Sequence, residues 1–221
     1  ITIEILPRIH PNDSGFGKTY TQRFKNIGTY FRKEFKRLRV QIEKSKYWHN
    51  TILENYRYKG DGLYKAIKKD LLVQRDAYSS LLEHIQPKGN IAHISKSYGQ
   101  LDLLLALDSI DRKITVYLEA AEARKMLKNN FLTQQYSNIS IVDTAVEALR
   151  IETQTLLIDA AFVDDAFFKE QLNDEITELF ILKDGTKIDL GQMTPSGFAI
   201  GEQNDNFILL KKIGEEVGEN S

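Results

Sequence analysis

The sequence predicts an α/β, Rossmann-like domain with a terminal antiparallel hairpin, preceded by an N-terminal helical region. Three observations predict it. From residue 87 onward, short apolar stretches alternate with helical ones, which implies a mostly parallel sheet. Before residue 87 the apolar spacing is helical. Near the C-terminus, 198–201 and 207–212 bracket Glu202-Gln203-Asn204-Asp205-Asn206, the composition of a hairpin loop.

Taken in order, residues 1–6 alternate apolar and polar and read as a strand. Pro, Asn, Asp and Gly mark 6–15 as a loop. Residues 19–46 form a long helix with Phe24, Ile27, Tyr30, Phe31, Phe35, Leu38 and Ile42 at three- and four-residue spacing. A second helix covers 47–58, Lys59-Gly60-Asp61-Gly62 breaks it, and a third covers 62–84. Strands follow at 91–94, 114–119, 139–142, 156–159 and 176–182, with helices at 101–107, 120–130 and 164–172. Lys183-Asp184-Gly185-Thr186 is a turn before a short strand at 187–190. The polar segment 214–221 is a disordered tail.

The chain of 221 residues fits one ordinary domain with an appendage, and 42% hydrophobic residues suffice for a core. Lys+Arg number 30 and Asp+Glu 31, a balance that predicts no nucleic-acid partner. The absence of cysteine excludes disulfide scaffolds, thiolate metal sites and a Cys nucleophile, and suits a cytoplasmic setting. Cations concentrate between Lys18 and Lys46, where only Glu34 and Glu43 oppose them. Such a stretch reads as a solvated helix face or as a surface that meets anionic lipid. Because Ile1 falls within a strand-like stretch, the chain is expected to be a piece of a longer polypeptide.

A Rossmann-type loop needs glycines after the first strand, for a tight turn and close backbone approach to a ligand, and an acid about 20 residues later for ribose hydroxyls. Against the methyltransferase spacing of acid, x, Gly, x, Gly, x, Gly, this chain places His93 at the acid and Ser95, Ser97 and Gly99 at the three glycines. The second acid is Glu119, or its position aligns with Leu118 one residue earlier, which faces the opposite side of the strand. Asp143, after the third strand, is a candidate adenine contact, and Asp159 ends the fourth strand at the sheet's carboxyl edge. Asp164-Asp165 reads as a helix N-cap. An imidazole cannot replace a carboxylate opposite the ammonium of S-adenosylmethionine (SAM), and Ser tolerates positive φ poorly. The candidate cofactor residues are thus Ser95, Ser97, Gly99, Glu119 and Asp143, with SAM binding expected to be lost or weakened. The same residues also read as a plain strand-to-helix turn.

Several stretches carry a resemblance. They are Leu6-Pro7-Arg8-Ile9 with Phe16-Gly17, Tyr20 and Arg23, Tyr30-Phe31, Arg37-Leu38, Asn55-Tyr56-Arg57-Tyr58-Lys59-Gly60, Tyr98-Gly99 and Asp111-Arg112-Lys113-Ile114-Thr115. The chain resembles the C-terminal part of large Bacteroidetes proteins that join a membrane permease, a lysophospholipid acyltransferase and a class I SAM-dependent methyltransferase. The resemblance implies that 1–16 are the tail of the acyltransferase domain, 17–86 a helical connector and 87–213 a methyltransferase-like domain. It implies the acyltransferase domain of the same chain as partner and a location at the cytosolic portion of a membrane protein. The departures at His93, Ser95 and Ser97 predict a non-catalytic docking or stabilising role. The alternative is an active methyltransferase on a lipid-like or aromatic substrate. The acyltransferase His-x4-Asp is missing: His10 is followed at that distance by Gly15 and His49 by Glu54.

Other chemistries find no motif. The histidines His10, His49, His84 and His93 lack metal spacing. There is no phosphate-binding Gly-x4-Gly-Lys-Ser/Thr loop and no Gly-x-Ser-x-Gly elbow. Tyr47-Trp48-His49 reads as packing.

Overall fold

The computed structural model describes residues 8–10, 13–44, 48–163, 172–183 and 194–213. The expected strand at 1–6, helix at 164–172 with its Asp164-Asp165 cap, turn and strand at 183–190, and tail at 214–221 lie wholly or largely outside the described residues. The chain divides into two compact units, Ile1–Trp48 and His49–Ser221.

In the first unit a 3-10 turn (Ser14–Phe16) precedes helix α1 (Tyr20–Lys44). Thr19 and Gln22 start the helix as a capping box. The Gln22 N–H donates to Thr19 Oγ1, and the Thr19 N–H donates to Gln22 Oε1, both at 3.3 Å. Asn26 Nδ2 donates to the Phe16 carbonyl at 2.9 Å, and the Phe16 and Tyr30 rings meet edge-on at 5.7 Å, so the turn folds back on its own helix.

The boundary falls after Trp48, the first residue of α2 (Trp48–Tyr56), and the second unit continues with α3 (Asp61–Val73) and α4 (Arg75–His84). The single helix expected over 62–84 is two. Gln74, at φ −90° and ψ 7°, leaves helical geometry and separates them. These helices, expected as a connector, group with the sheet.

The sheet runs β1 (Gly89–Ser95), β2 (Arg112–Leu118), β3 (Ile139–Ile141), β4 (Thr155–Asp159), β5 (Glu178–Leu182), β6 (Phe198–Gln203) and β7 (Phe207–Lys212). Between strands lie α5 (Gln100–Asp108), α6 (Ala121–Lys128), α7 (Phe131–Tyr136) and α8 (Ala145–Leu149). The order among the described residues is β3-β2-β1-β4-β5-β7-β6. The first five strands are parallel, and β7 is antiparallel to both neighbours. This is the α/β sheet with a closing hairpin that the sequence predicts. The hairpin carries a bulge at Gly201, where a Cβ would lie 3.1 Å from Lys211 Cγ.

One face of the sheet is apolar. Ala92, Ile94, Leu156, Ile158, Leu179, Ile181, Ile208 and Leu210 pack with Ala148 and Leu149 of α8. Each such fully buried Leu or Ile contributes about 1.5–3 kcal/mol. The opposite face bears His93, Ser95, Asp159, Phe180 and Phe207, and α5 and α4 lie against it through the pairs His93–Asp102 and His84–Phe207. The polar residues of the site are therefore confined to one side of the sheet by the strand period of two.

Candidate functional site

The site sits at the carboxyl ends of β1 and β4, where the strand order reverses and ligands of open α/β sheets bind. Ile94 pairs with Ile158, so the next residues along, Ser95 and Asp159, meet side by side. Ser95 Oγ donates to Asp159 Oδ2 at 2.8 Å, and the Lys96 N–H donates to the same oxygen at 2.7 Å.

The rest of the loop is satisfied in the same way. The Ser97 N–H donates to Ser95 Oγ at 2.9 Å, the Tyr98 N–H to Gln100 Oε1 at 3.1 Å and the Gly99 N–H to Ser97 Oγ at 3.3 Å. Tyr56 Oη donates to the Tyr98 carbonyl at 2.7 Å and ties α2 to the loop. Gly99 carries φ +85°, and a Cβ there would lie 2.8 Å from both methyl groups of Leu127. Its glycine is explained by backbone conformation and close approach of α6. Neither Ser95 nor Ser97 needs positive φ.

Beside the loop is a cavity of about 210 Å³, lined in part by Asp70, Tyr78, His93, Ser95, Ser97 and Asp159. That volume lies below the roughly 300–1,000 Å³ of common small-molecule sites. Asp70 Oδ2 accepts from Tyr78 Oη at 2.8 Å and from Gln100 Nε2 at 2.7 Å. His93 is buried, with Nδ1 2.7 Å from Asp102 Oδ1, while its Nε2 has no hydrogen-bond partner among the described residues.

Burial pulls the His93 pKa down. The charge and hydrogen bond of Asp102, with the charge of Asp159, outweigh it, and the net shift is upward. Burial raises Asp159, against the His93 charge, the Lys96 N–H and the Ser95 hydroxyl. Tyr78 is pushed well above its ordinary value by burial and by Asp70. The arrangement can hold a proton at His93, oriented by Asp102, with two further carboxylates on the cavity wall.

The sequence candidates separate into two places. Ser95 and Ser97 line the cavity, and Gly99 shapes the loop. Leu118 is buried in the core, and Glu119 follows it at the strand end, its Oε1 3.8 Å from Lys96 Nζ. Asp143 lies on the rim with a 92% exposed side chain, 3.6 Å from Arg124 Nε. Arg124 also donates to the Leu118 and Glu119 carbonyls, so it joins the ends of β2 and β3. Neither Glu119 nor Asp143 lines the cavity. Asp70, Tyr78, Gln100 and Asp102 were not among the sequence candidates. Asp102 had a signal, an Asp inside the leucine run Leu101-Asp102-Leu103-Leu104-Leu105, where only a partnered charge is tolerated, and Asp70, Tyr78 and Gln100 had none. No group of His, Asp and Glu suited to a metal ion occurs among the described residues.

Solved structures match this architecture. A putative caffeoyl-CoA O-methyltransferase from Staphylococcus aureus matches with a TM-score of 0.50 at 14% identity, over 74% of this chain and 98% of its own. MtNAS in complex with MTA and tNA matches with a TM-score of 0.50 at 10% identity, over 86% and 76%. The fold is that of the class I methyltransferases. Coclaurine N-methyltransferase bound to N-methylheliamine and SAH aligns over 53% of this chain at 12% identity and a TM-score of 0.42, and the chain spans only 37% of that protein's length. No protein-family model and no curated protein sequence matches the chain. No helix among the described residues is long and apolar enough to cross a membrane.

Proposed function

We propose that the second unit is a methyltransferase-like domain that binds SAM weakly or not at all and serves a longer, acyltransferase-bearing chain as a non-catalytic docking or stabilising module. The supporting observation is the loop after β1. Its N–H groups from Lys96 to Gly99 are all taken, one by Asp159 and three by Ser95, Ser97 and Gln100. A ligand carboxylate approaching this loop meets a buried carboxylate where it needs donors. The ammonium of the same ligand meets His93, whose raised pKa favours a cation, in place of an acid. The amino-acid end of SAM therefore does not fit the residues present.

Calorimetry with SAM and with S-adenosylhomocysteine tests this reading. The expected result is no measurable heat, or binding no tighter than about 1 mM. Micromolar binding of either ligand, or methyl transfer to any acceptor, sinks it. A triple variant, Ser95→Gly with Ser97→Gly and Asp159→Ala, frees the Lys96, Ser97 and Gly99 N–H groups and is expected to bind more tightly than the parent chain.

The cavity at the carboxyl edge of β1 and β4 favours the second reading, an active methyltransferase on a lipid-like or aromatic substrate. That reading requires the loop to surrender Asp159 on binding. No SAM binding at all, or SAM binding with no methyl transfer to any lipid-like or aromatic acceptor, counts against it.

A further inference from the structure

Helix α1 presents an aromatic stripe to solvent. Tyr20 is 77% exposed, Phe24 73%, Phe31 45% and Phe35 68%. At about 100° per residue, positions 20, 24, 31 and 35 fall within an arc of about 60° on the helix surface. A soluble helix normally turns such a stripe inward. The Tyr20 and Phe24 rings instead stack on each other at 6.5 Å, on the outside.

The rest of the helix is cationic. Arg23, Lys25, Arg32, Lys33, Lys36, Arg37 and Arg39 stand against Glu34 alone over positions 20–39. The excess of six positive charges is concentrated in one helix of a chain whose net charge is −1. Lys25, Arg32, Lys36 and Arg39 run along one flank of the stripe, and Arg23 and Arg37 lie on the other.

We infer that α1 lies on an anionic lipid surface, with the Tyr20–Phe24–Phe31–Phe35 stripe in the headgroup boundary and the flanking cations against lipid phosphates. An aromatic face bordered by Lys and Arg is the pattern of an interfacial helix. Each cation near an anionic leaflet adds attraction that salt screens. A second copy of the chain is disfavoured as the occupant, because pairing two such stripes brings two sets of cations together. This inference does not depend on the fate of the cofactor loop.

The test is co-sedimentation of the full chain with phosphatidylcholine vesicles, alone and with about a third phosphatidylglycerol. The expected result is binding at least about tenfold stronger to the anionic vesicles, weakening as salt is raised. Phe24→Ser with Phe35→Ser is expected to reduce that binding about tenfold or more and to leave the melting temperature unchanged, since both rings are exposed. Lys25→Glu with Arg32→Glu is expected to abolish the preference for anionic lipid. Equal binding to both vesicle types, no binding at low salt, or an undiminished double-serine variant would overturn the inference. So would self-association that the double-serine variant abolishes while lipid binding is absent, because that outcome gives the stripe to a second copy.

Discussion

His93 Nδ1 and Asp102 Oδ1 are 2.7 Å apart with both side chains buried, an interaction that a deprotonated imidazole would keep only in weaker form. The folded chain therefore holds the His93 proton more tightly than the unfolded chain, whose value is near 6.5. The sign follows directly. The pair's contribution to stability is complete below about pH 6.5 and is lost as pH rises through the higher folded value. An NMR titration of the His93 ring is expected to give a midpoint above 6.5, and Asp102→Asn is expected to lower it by leaving burial less opposed. A midpoint unchanged by Asp102→Asn would refute the coupling. Gly99 gives a second residue-scale prediction. Gly99→Ala is expected to cost about 2–5 kcal/mol, from a strained φ and from overpacking against Leu127. Adding Leu127→Ala should remove only the contact part of the Gly99→Ala effect in a denaturation double-mutant cycle. His93, Ser95 and Ser97 were legible in the sequence as residues at the end of the first strand and in the loop after it. The direction each side chain takes was not, because it depends on partners from α5 and β4.

Arg112 decides how three elements meet. Its buried guanidinium donates to the Ile85 carbonyl at 2.9 Å, the Gln86 carbonyl at 2.8 Å and the Leu105 carbonyl at 3.2 Å, and lies 2.7 Å from Asp108 Oδ2. It thereby caps the ends of α4 and α5 at the start of β2, where helix carbonyls lack intrahelical donors. Arg112→Met is expected to destabilise the chain by about 3–5 kcal/mol, measured by urea unfolding, because it removes the counter-charge of buried Asp108 and the side-chain donor to the Ile85 and Gln86 carbonyls, while Leu105 keeps the Ser109 N–H. A loss below about 1 kcal/mol would refute that account. At this scale the expected strands after residue 87 that fall among the described residues were legible to within two residues, since most are short apolar runs. Helices α7 and α8 were not, because six and five residues are too few to show a helical period. The break at Gln74 was equally hidden, as the apolar spacing on either side of it stays continuous.

Across the whole molecule, the sheet concentrates burial in its centre. Residues 91–95 of β1 and all but the final residue of β4 are buried, whereas β6, at one edge, is intermediate or exposed throughout. Hydrogen exchange is therefore expected to be slowest in β1, β4 and β5 and fastest in β6 and the three-residue β3. Fast exchange in β4 would contradict this packing. Apolar runs, turn composition and the closing hairpin were enough to predict a parallel sheet of this class, because each is a local pattern whose period the backbone imposes. His93, Ser95 and Ser97 were likewise legible at the end of the first strand and in the loop after it. Tertiary structure alone decided what they do. Strand order places β4 beside β1, and with it Asp159, 64 residues beyond Ser95, inside the loop. No local period encodes a hydrogen bond across that separation. The loop is closed by its own carboxylate because two distant strands pair in register.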